Sequence, residues 1–133
     1  MKLVQMEMPG DCGPACLAMV LGVSLGDVTP DFPDRRRRGV IDQEMVDYLG
    51  SRGVVAIRSM DWPDDRMPAI LTVPSLNFPG LLHYTVWDGA RLLDPSRGPK
   101  RYPDGLDPTG VRPPTCGAFW ATAILLWPRR DIP

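Results

Sequence analysis

Cys12 occupies a position in the sequence that suits a nucleophilic thiol. Gly13 and Pro14, which follow it, fit the first turn of a helix, where backbone N–H groups have no partner within the helix. Residues 15–21 are apolar and continue as a predicted buried helix. Because unpaired N–H groups and the positive end of the helix dipole stabilise an anion, a cysteine at this place is favoured as the thiolate.

His83 is the single histidine of the chain and the candidate general base for that thiol. It lies in a β-type run ending at Trp87, and the dipeptide Asp88-Gly89 joins this run to a second one ending at Asp94, which is the pattern of a β-hairpin. If the dipeptide forms the whole loop, Trp87 pairs with Ala90 and His83 lies directly opposite Asp94. The carboxylate is then close enough to accept a hydrogen bond from the imidazole, whereas a bulge in the turn removes this pairing.

The order of these residues resembles the papain-like cysteine peptidases of the bacteriocin-processing, double-glycine-leader type. The resemblance rests on Gln5, the segment Asp11–Val20, the His-Tyr-Thr-Val run at 83–86 and the pair Asp94-Pro95, and it covers positions 3–98. It implies an α+β papain-like fold in which an N-terminal helix carrying the nucleophile packs on an antiparallel β-sheet.

The resemblance also implies a role for each of four residues. Cys12 corresponds to the nucleophile, His83 to the general base and Asp94 to the group that orients the base. Gln5 corresponds to a glutamine whose amide donates to the oxyanion, although it stands one residue further from the cysteine than is usual in papain-like enzymes. A turn at Pro9-Gly10 can absorb the extra residue, and the backbone N–H of Cys12 is the other expected oxyanion donor.

Each of these residues also has an ordinary structural interpretation. Cys12 can be a small packing residue of a helix, and His83 a hydrogen-bonded residue of a strand. Asp94 can simply end a strand, because the residue before a proline is disfavoured in helical geometry, and Gln5 can be a polar residue of an N-terminal strand. The combination of the four residues is what favours catalysis.

A zinc site is an alternative use of the thiols. Cys12, Cys16, Cys116 and His83 provide enough ligands for one ion, but zinc cysteines usually come as close pairs in turns, whereas the close pair here lies in an apolar helix. We therefore expect no metal and no other cofactor, and we expect Cys16 to pack in the core.

Length and charge limit the functions that the chain can have. With 133 residues, 44% of them hydrophobic, we expect a single domain over residues 1–133. Fifteen Lys and Arg against sixteen Asp and Glu give a formal net charge of -1, so we expect no nucleic-acid partner. The run Arg35–Arg38 is flanked by aspartates and is either a solvated loop or a patch that selects acidic substrate side chains.

The apolar segments predict a cytoplasmic protein. Met1–Glu7 lack the apolar run of a signal peptide, and the apolar stretches at 15–21 and 119–127 are too short to span a bilayer. We expect no membrane partner, and no transporter of the kind to which bacteriocin-processing relatives are often fused. The expected partner is a peptide or protein substrate, and the sequence leaves the oligomeric state open.

The remaining pattern predicts the elements that hold the site. Ile41–Gly50 suit a helix with Asp42 as its N-cap. Strands are predicted, beside the two of the hairpin, at Val54–Arg58, Ala69–Val73 and Phe119–Leu126.

Together these features predict a cysteine peptidase or a related thiol hydrolase that cleaves a peptide or amide bond through an acyl-enzyme intermediate. Two other functions are compatible with the same residues. One is a catalytically inactive papain-like module that binds or inhibits a peptide, and the other is a transglutaminase-like acyl transferase, in which an amine replaces the water. The sequence does not separate hydrolysis from transfer, because both reactions use the same thiolate, base and oxyanion donors.

Overall fold

A computed structural model of the protein describes residues 1–35, 38–59, 67–74, 82–97 and 122–128. Its helices are α1 (Cys12–Leu21), α2 (Leu25–Val28) and α3 (Asp42–Ser51), with a 3₁₀ turn at Thr29–Asp31. Its strands are β1 (Val54–Ser59), β2 (Ala69–Pro74), β3 (Leu82–Trp87), β4 (Leu92–Leu93) and β5 (Thr122–Pro128). The described residues are therefore α+β, as predicted.

The five strands form an antiparallel sheet in the order β1-β5-β2-β3-β4. Helix α1 packs against β3 and helix α3 against β1. Because successive side chains of a strand point to opposite faces, the sheet contributes to two apolar clusters. The cluster shared with the helices includes Leu17, Met45, Leu49, Ile70, Val86 and Ile124, and the other includes Leu71, Val73, Trp87 and Leu92. The predicted packing of the N-terminal helix on an antiparallel sheet is confirmed.

Apolar side chains explain the position of α1. Ala15, Cys16 and Leu17 are fully buried, so the prediction that Cys16 packs in the core is confirmed. The helix ends at Gly22, which has a φ of 70°, a left-handed conformation that glycine adopts without steric cost. The apolar content of the segment thus fixes the helix, and the glycine ends it.

Helix α3 forms where the sequence predicts a helix, but the predicted N-cap is wrong. The helix begins at Asp42, and the side chain of Glu44 accepts a hydrogen bond from the backbone N–H of Ile41 at 3.2 Å. The carboxylate of Asp42 accepts instead from the hydroxyl of Tyr84 on β3 and from Arg58 Nε on β1, the latter at 3.0 Å. The Asp42 carboxylate therefore bonds residues of the sheet, and the helix cap comes from Glu44.

A strand forms at each predicted position, but the second strand of the hairpin, predicted from Ala90 to Asp94, is reduced to Leu92–Leu93. β1 and β2 contain the runs predicted at Val54–Arg58 and Ala69–Val73, each with one further residue. β5 begins at Thr122 and extends to Pro128, whereas the sequence predicted Phe119–Leu126. Residues 119–121 lie outside the described part of the chain.

The hairpin forms with a register that differs from the prediction. Trp87 pairs with Leu92 and not with Ala90, because a turn from Asp88 to Arg91 replaces the two-residue loop. The carboxylate of Asp88 accepts hydrogen bonds from the N–H groups of Ala90 and Arg91 at 2.8 and 2.7 Å, which stabilises the wider turn. The register predicted from the Asp-Gly pair is therefore wrong by two residues.

A shift of two residues keeps the side chains on their predicted face, since strand side chains alternate with a period of two. His83 and Asp94 consequently stay on one face, but Asp94 is not directly opposite His83 as predicted. If the β3–β4 register is continued beyond Leu93, Ser96 falls opposite His83 and Asp94 lies diagonal to it. The right pair of residues was predicted from the wrong alignment of the strands.

No single helix among the described residues is long and apolar enough to cross a membrane. Helix α1 and the segment Leu25–Asp31 meet that requirement only when they are taken together across a sharp bend.

Candidate active site

The hairpin brings His83 and Asp94 into direct contact. Nε2 of His83 lies 2.9 Å from Oδ1 of Asp94, within hydrogen-bond distance. His83 is 8% exposed and Asp94 6% exposed, so water competes little for this bond. The pair has the geometry needed for a carboxylate to orient an imidazole.

Cys12 completes the group at the start of α1. It is the first residue of the helix and is half-buried, and its side chain lies close enough to the His83 ring to raise the pKa of that ring by hydrogen bonding and by charge. Because Nε2 of the ring is directed at Asp94, Nδ1 is the nitrogen that remains for Cys12. The packing of α1 on β3 thus brings together three of the four residues predicted for the site.

The contacts of His83 favour its charged form. Burial by itself lowers the pKa of His83, but hydrogen bonds to Asp94 and Cys12 and the negative charges of both raise it to about 9. For Asp94, burial acts to raise the pKa, and hydrogen bonds from His83 and Ser96 outweigh it and hold the pKa below the usual value. These contacts stabilise the imidazolium form of His83.

Cys16 is a thiol of a different kind, four residues further along α1. It is fully buried, and desolvation, followed by the negative charges of Cys12 and Asp94, raises its pKa well above the usual value. Cys16 therefore stays protonated and unreactive.

Ser96 belongs to the same group, and the sequence analysis missed it. Its Oγ lies 3.0 Å from His83 Nε2, and its backbone N–H donates to Asp94 Oδ1 at 2.8 Å. A signal was present in the sequence, because an Asp-Pro pair favours a turn in which the aspartate side chain accepts from the backbone two residues on. The Asp-Pro pair thus indicates that the backbone N–H of residue 96 contacts the Asp94 side chain.

The N-terminus of α1 has no side-chain cap. Asp11 occupies the cap position, but no side-chain hydrogen bond caps the helix. Asp11 is fully buried, and its Oδ2 accepts from the N–H groups of Glu7 and Met8 at 3.2 and 2.8 Å, which holds the preceding loop. The N–H groups of Cys12 and Gly13 lie at the positive end of the helix dipole, which stabilises a nearby negative charge, whereas Pro14 has no N–H and that of Ala15 donates to Asp11 O at 2.8 Å.

Gly13 is required by the close packing of that first turn. A Cβ atom built at this position lies 2.2 Å from Cγ2 of Val40 and 3.2 Å from Sδ of Met45. The glycine after Cys12 therefore lets α1 approach its neighbours, and through them fixes the position of Cys12.

Gln5, the fourth predicted residue, lies on an exposed segment beside the site. Its Oε1 accepts a long hydrogen bond, 3.4 Å, from Nη1 of Arg97, and Nε of the same arginine donates to Met6 O at 2.8 Å. The N–H of Met6 donates to Pro95 O at 2.9 Å, so the segment that carries Gln5 is tied to the one that carries Asp94. Gln5 and Cys12 are both described and no hydrogen bond joins them, and the oxyanion role of Gln5 stays a prediction.

Two other sequence expectations concern residues around the site. Within the described ranges, no three His, Cys, Asp or Glu side chains are grouped so that they could hold a metal ion, and Cys116 lies outside those ranges. Arg35 pairs with Glu44 on α3 at 3.3 Å, while Arg36 and Arg37 are not among the described residues.

Comparison with known proteins adds no relative on which to base a function. No protein-family profile and no curated protein sequence matches this chain.

Proposed function

We propose that this protein is a cysteine peptidase or a closely related thiol hydrolase, with Cys12 as the nucleophile, His83 as the general base and Asp94 as the group that orients the base. The observation that carries the proposal is the placing of one imidazole between a carboxylate, at 2.9 Å, and the side chain of Cys12. A base for a thiol must reach the thiol through one ring nitrogen, and a partner on the other nitrogen orients the ring.

The first chemical step is acylation of the thiol. His83 accepts the proton of Cys12, and the thiolate sulfur attacks the carbonyl carbon of the substrate amide. The C=O electron pair moves to the oxygen, and the resulting oxyanion is stabilised by the backbone N–H of Cys12 at the uncapped start of α1, with the Gln5 amide as the second proposed donor. His83 then gives its proton to the nitrogen of the leaving amine as the C–N bond breaks.

The second step releases the acid. His83, neutral again, takes a proton from water, and the hydroxide attacks the thioester carbonyl. The same donors hold the second oxyanion, and the thiolate leaves to re-form the pair with the imidazolium. Asp94 keeps the ring oriented and stabilises its positive charge through both steps.

We further propose that the fold is of the papain-like kind. Two features support this assignment: a nucleophile at the first residue of a buried N-terminal helix, and a base on an antiparallel strand against which that helix packs. The sequence resemblance over Gln5, Asp11–Val20, His83–Val86 and Asp94-Pro95 points to the same family.

A peptide-library cleavage profile tests the proposed function. The wild-type protein should cleave a subset of peptides, and the variants Cys12→Ala and His83→Ala should cleave none while circular dichroism shows that both are folded. New amide products, in which an added acceptor amine carries the acyl group in place of the released acid, would identify an acyl transferase. If the wild-type protein cleaves nothing and Cys12 reacts with iodoacetamide no faster than a free thiol, a peptide-binding module replaces the enzyme.

A further inference from the structure

Ser96 is a buried residue that hydrogen-bonds both His83 and Asp94. Its Oγ and Asp94 Oδ1 lie 3.0 and 2.9 Å from the same atom, Nε2 of His83. Its backbone N–H also bonds Asp94 Oδ1, at 2.8 Å. Ser96 is 9% exposed, so these three groups satisfy one another with little help from water.

We propose that Ser96 is a positioning residue for His83, whose hydroxyl donates to the Asp94 carboxylate and accepts, together with that carboxylate, the hydrogen bond from Nε2–H. The proposal rests on the proposed function, because it concerns the base that activates Cys12. It adds a residue to the site that neither the hairpin pattern nor the family resemblance assigns.

The donors and acceptors of the three groups match in only one arrangement. An ionised carboxylate can only accept, so the proton between His83 and Asp94 must reside on Nε2. A serine hydroxyl both donates and accepts, and its hydrogen can therefore go to Asp94 while its oxygen receives part of the Nε2–H bond. The lowered pKa of Asp94 agrees with this arrangement, since the Ser96 side chain is among its causes after burial and the bond from His83.

This arrangement has a consequence for the other side of the ring. A neutral imidazole with its proton on Nε2 has its lone pair on Nδ1, the nitrogen left for the Cys12 thiol. Ser96 holds the Asp94 carboxylate through both its N–H and its O–H, which keeps Oδ1 on Nε2. The continued β3–β4 register explains why Ser96 is in place, because it falls opposite His83 on the same face.

Alkylation of Cys12 at two pH values tests the proposal without a known substrate. At about pH 6 the rate with iodoacetamide depends on the thiolate–imidazolium pair, whereas at about pH 10 the thiol ionises without the base. Ser96→Ala should lower the rate at the lower pH about tenfold, the effect of one hydrogen bond, and leave the rate at the higher pH unchanged. Ser96→Thr, which keeps the hydroxyl, should restore the rate, and Ser96→Gly replaces the alanine variant if that one does not fold.

Thr85 provides a matched control. Its hydroxyl is fully buried, lies on the same strand two residues from His83, and has no hydrogen-bond partner among the described residues. Thr85→Val removes this hydroxyl with little change of shape and should leave both rates unchanged. If Ser96→Ala leaves the rate at low pH unchanged, lowers both rates equally, or is matched by Thr85→Val, the proposal is overturned.

The single histidine allows a second, independent measurement. In Cys12→Ala, ¹⁵N NMR of the neutral His83 ring should show the proton on Nε2, and adding Ser96→Ala should shift the ring toward a mixture of the two tautomers. A neutral ring protonated on Nδ1, or a spectrum that Ser96→Ala does not alter, contradicts the proposal.

The variant His83→Ala separates the proposed function from the proposed role of Ser96. If His83→Ala leaves alkylation at low pH unchanged, the proposed function fails, and if only the Ser96 variants behave as wild type, the function stands without Ser96.

Discussion

Helices α1 and α3 are both ten residues long, yet they differ in what holds them in place. Seven residues of α1 are buried and it contains no Asp, Glu, Lys or Arg, whereas α3 buries only Met45 and Leu49 and contains three acidic residues. Helix α3 is an amphipathic surface helix of the usual kind. Helix α1 is held by the apolar groups around it and depends little on interactions at its ends.

The N-termini of the two helices differ in the same way. Asp11 and Asp42 stand at the two starts, and both carboxylates are turned away from their own helix, the first to the preceding loop and the second to Tyr84 on β3. In α3 the side chain of Glu44 replaces the missing cap by bonding Ile41 N, but α1 has no side-chain cap. A helix start without a side-chain cap is costly, and the burial of apolar side chains along α1 offsets that cost.

The largest predicted effect is on the rate at which Cys12, the first residue of α1, is alkylated. An unassisted cysteine is under about 1% thiolate at about pH 6, so His83→Ala should slow the alkylation of Cys12 by about 10²-fold if the pair with His83 makes it a thiolate. Peptide mass mapping after iodoacetamide treatment measures the reaction at Cys12 and, as an internal control, at Cys16, which is buried and should stay unlabelled in both proteins.

Equal labelling of Cys12 and Cys16 in the wild-type protein would contradict this view of α1. An unchanged rate at Cys12 in His83→Ala would show that the helix N-terminus alone favours the thiolate, and would remove the base from the mechanism.

A pair of glycine variants tests the packing difference between the helices. Gly13→Ala in α1 places a Cβ atom 2.2 Å from Val40 Cγ2 and should lower the free energy of unfolding by about 2 kcal/mol or more, as overpacking does. Gly50→Ala in α3 meets no atom within 4 Å and should raise the free energy of unfolding by up to about 1 kcal/mol through helix propensity. Urea titration measures both, and a tolerated Gly13→Ala would show that α1 is not closely held at its start.

The next effect is on the pKa of His83. Two of the causes that raise this pKa to about 9 are the hydrogen bond and the charge of Cys12, so Cys12→Ala should lower it by about one unit or more. NMR titration of the single histidine measures the change, and an unaltered pKa would mean that Cys12 and His83 do not interact.

The raised pKa of His83 also makes the free energy of unfolding depend on pH. The pKa of His83 is higher in the folded chain than its ordinary value of 6.5, so protonation stabilises the fold fully below pH 6.5, and this contribution is lost as the pH rises through about 9. In Cys12→Ala the contribution is smaller, and the decline of the unfolding free energy over this range should be shallower than in the wild-type protein.

Local patterns in the sequence predicted the elements and most of the site. The apolar run after Cys12, the helix after Ile41 and the Asp-Gly hairpin all formed, because each depends on neighbours within a few residues. The predicted hairpin register was wrong because the Asp88 side chain bonds the backbone of a wider turn. The prediction that His83 and Asp94 share a face was right, because it depends only on the period of two along a strand. The shift also explains why Ser96 was missed, since its contact with His83 depends on that register.

Asp42 illustrates the other limit of the sequence. An aspartate at the start of a predicted helix is a good cap, but its partners Tyr84 and Arg58 lie far along the chain on two strands. The competition between a local cap and distant donors is decided by tertiary packing, which one sequence does not contain.

An effect of about tenfold is predicted for Gln5, and it separates the two donors proposed for the oxyanion. If the uncapped start of α1 supplies the stronger donor, Gln5→Ala should lower the rate of acylation by p-nitrophenyl acetate only about tenfold, less than the loss of a fully buried donor, because Gln5 is exposed and its Oε1 bonds Arg97 at 3.4 Å. Alkylation by iodoacetamide displaces iodide without forming an oxyanion, so its rate at Cys12 should not change in the same variant.

Arg97→Ala is the matched control: if Arg97 holds the Gln5 amide in place, it should reproduce the loss in acylation, again with no change in alkylation. A loss of 10²-fold or more in Gln5→Ala would make the glutamine the main donor and α1 the lesser one, and a loss in both reactions would place Gln5 in the ionisation of the thiol, where the geometry gives it no part.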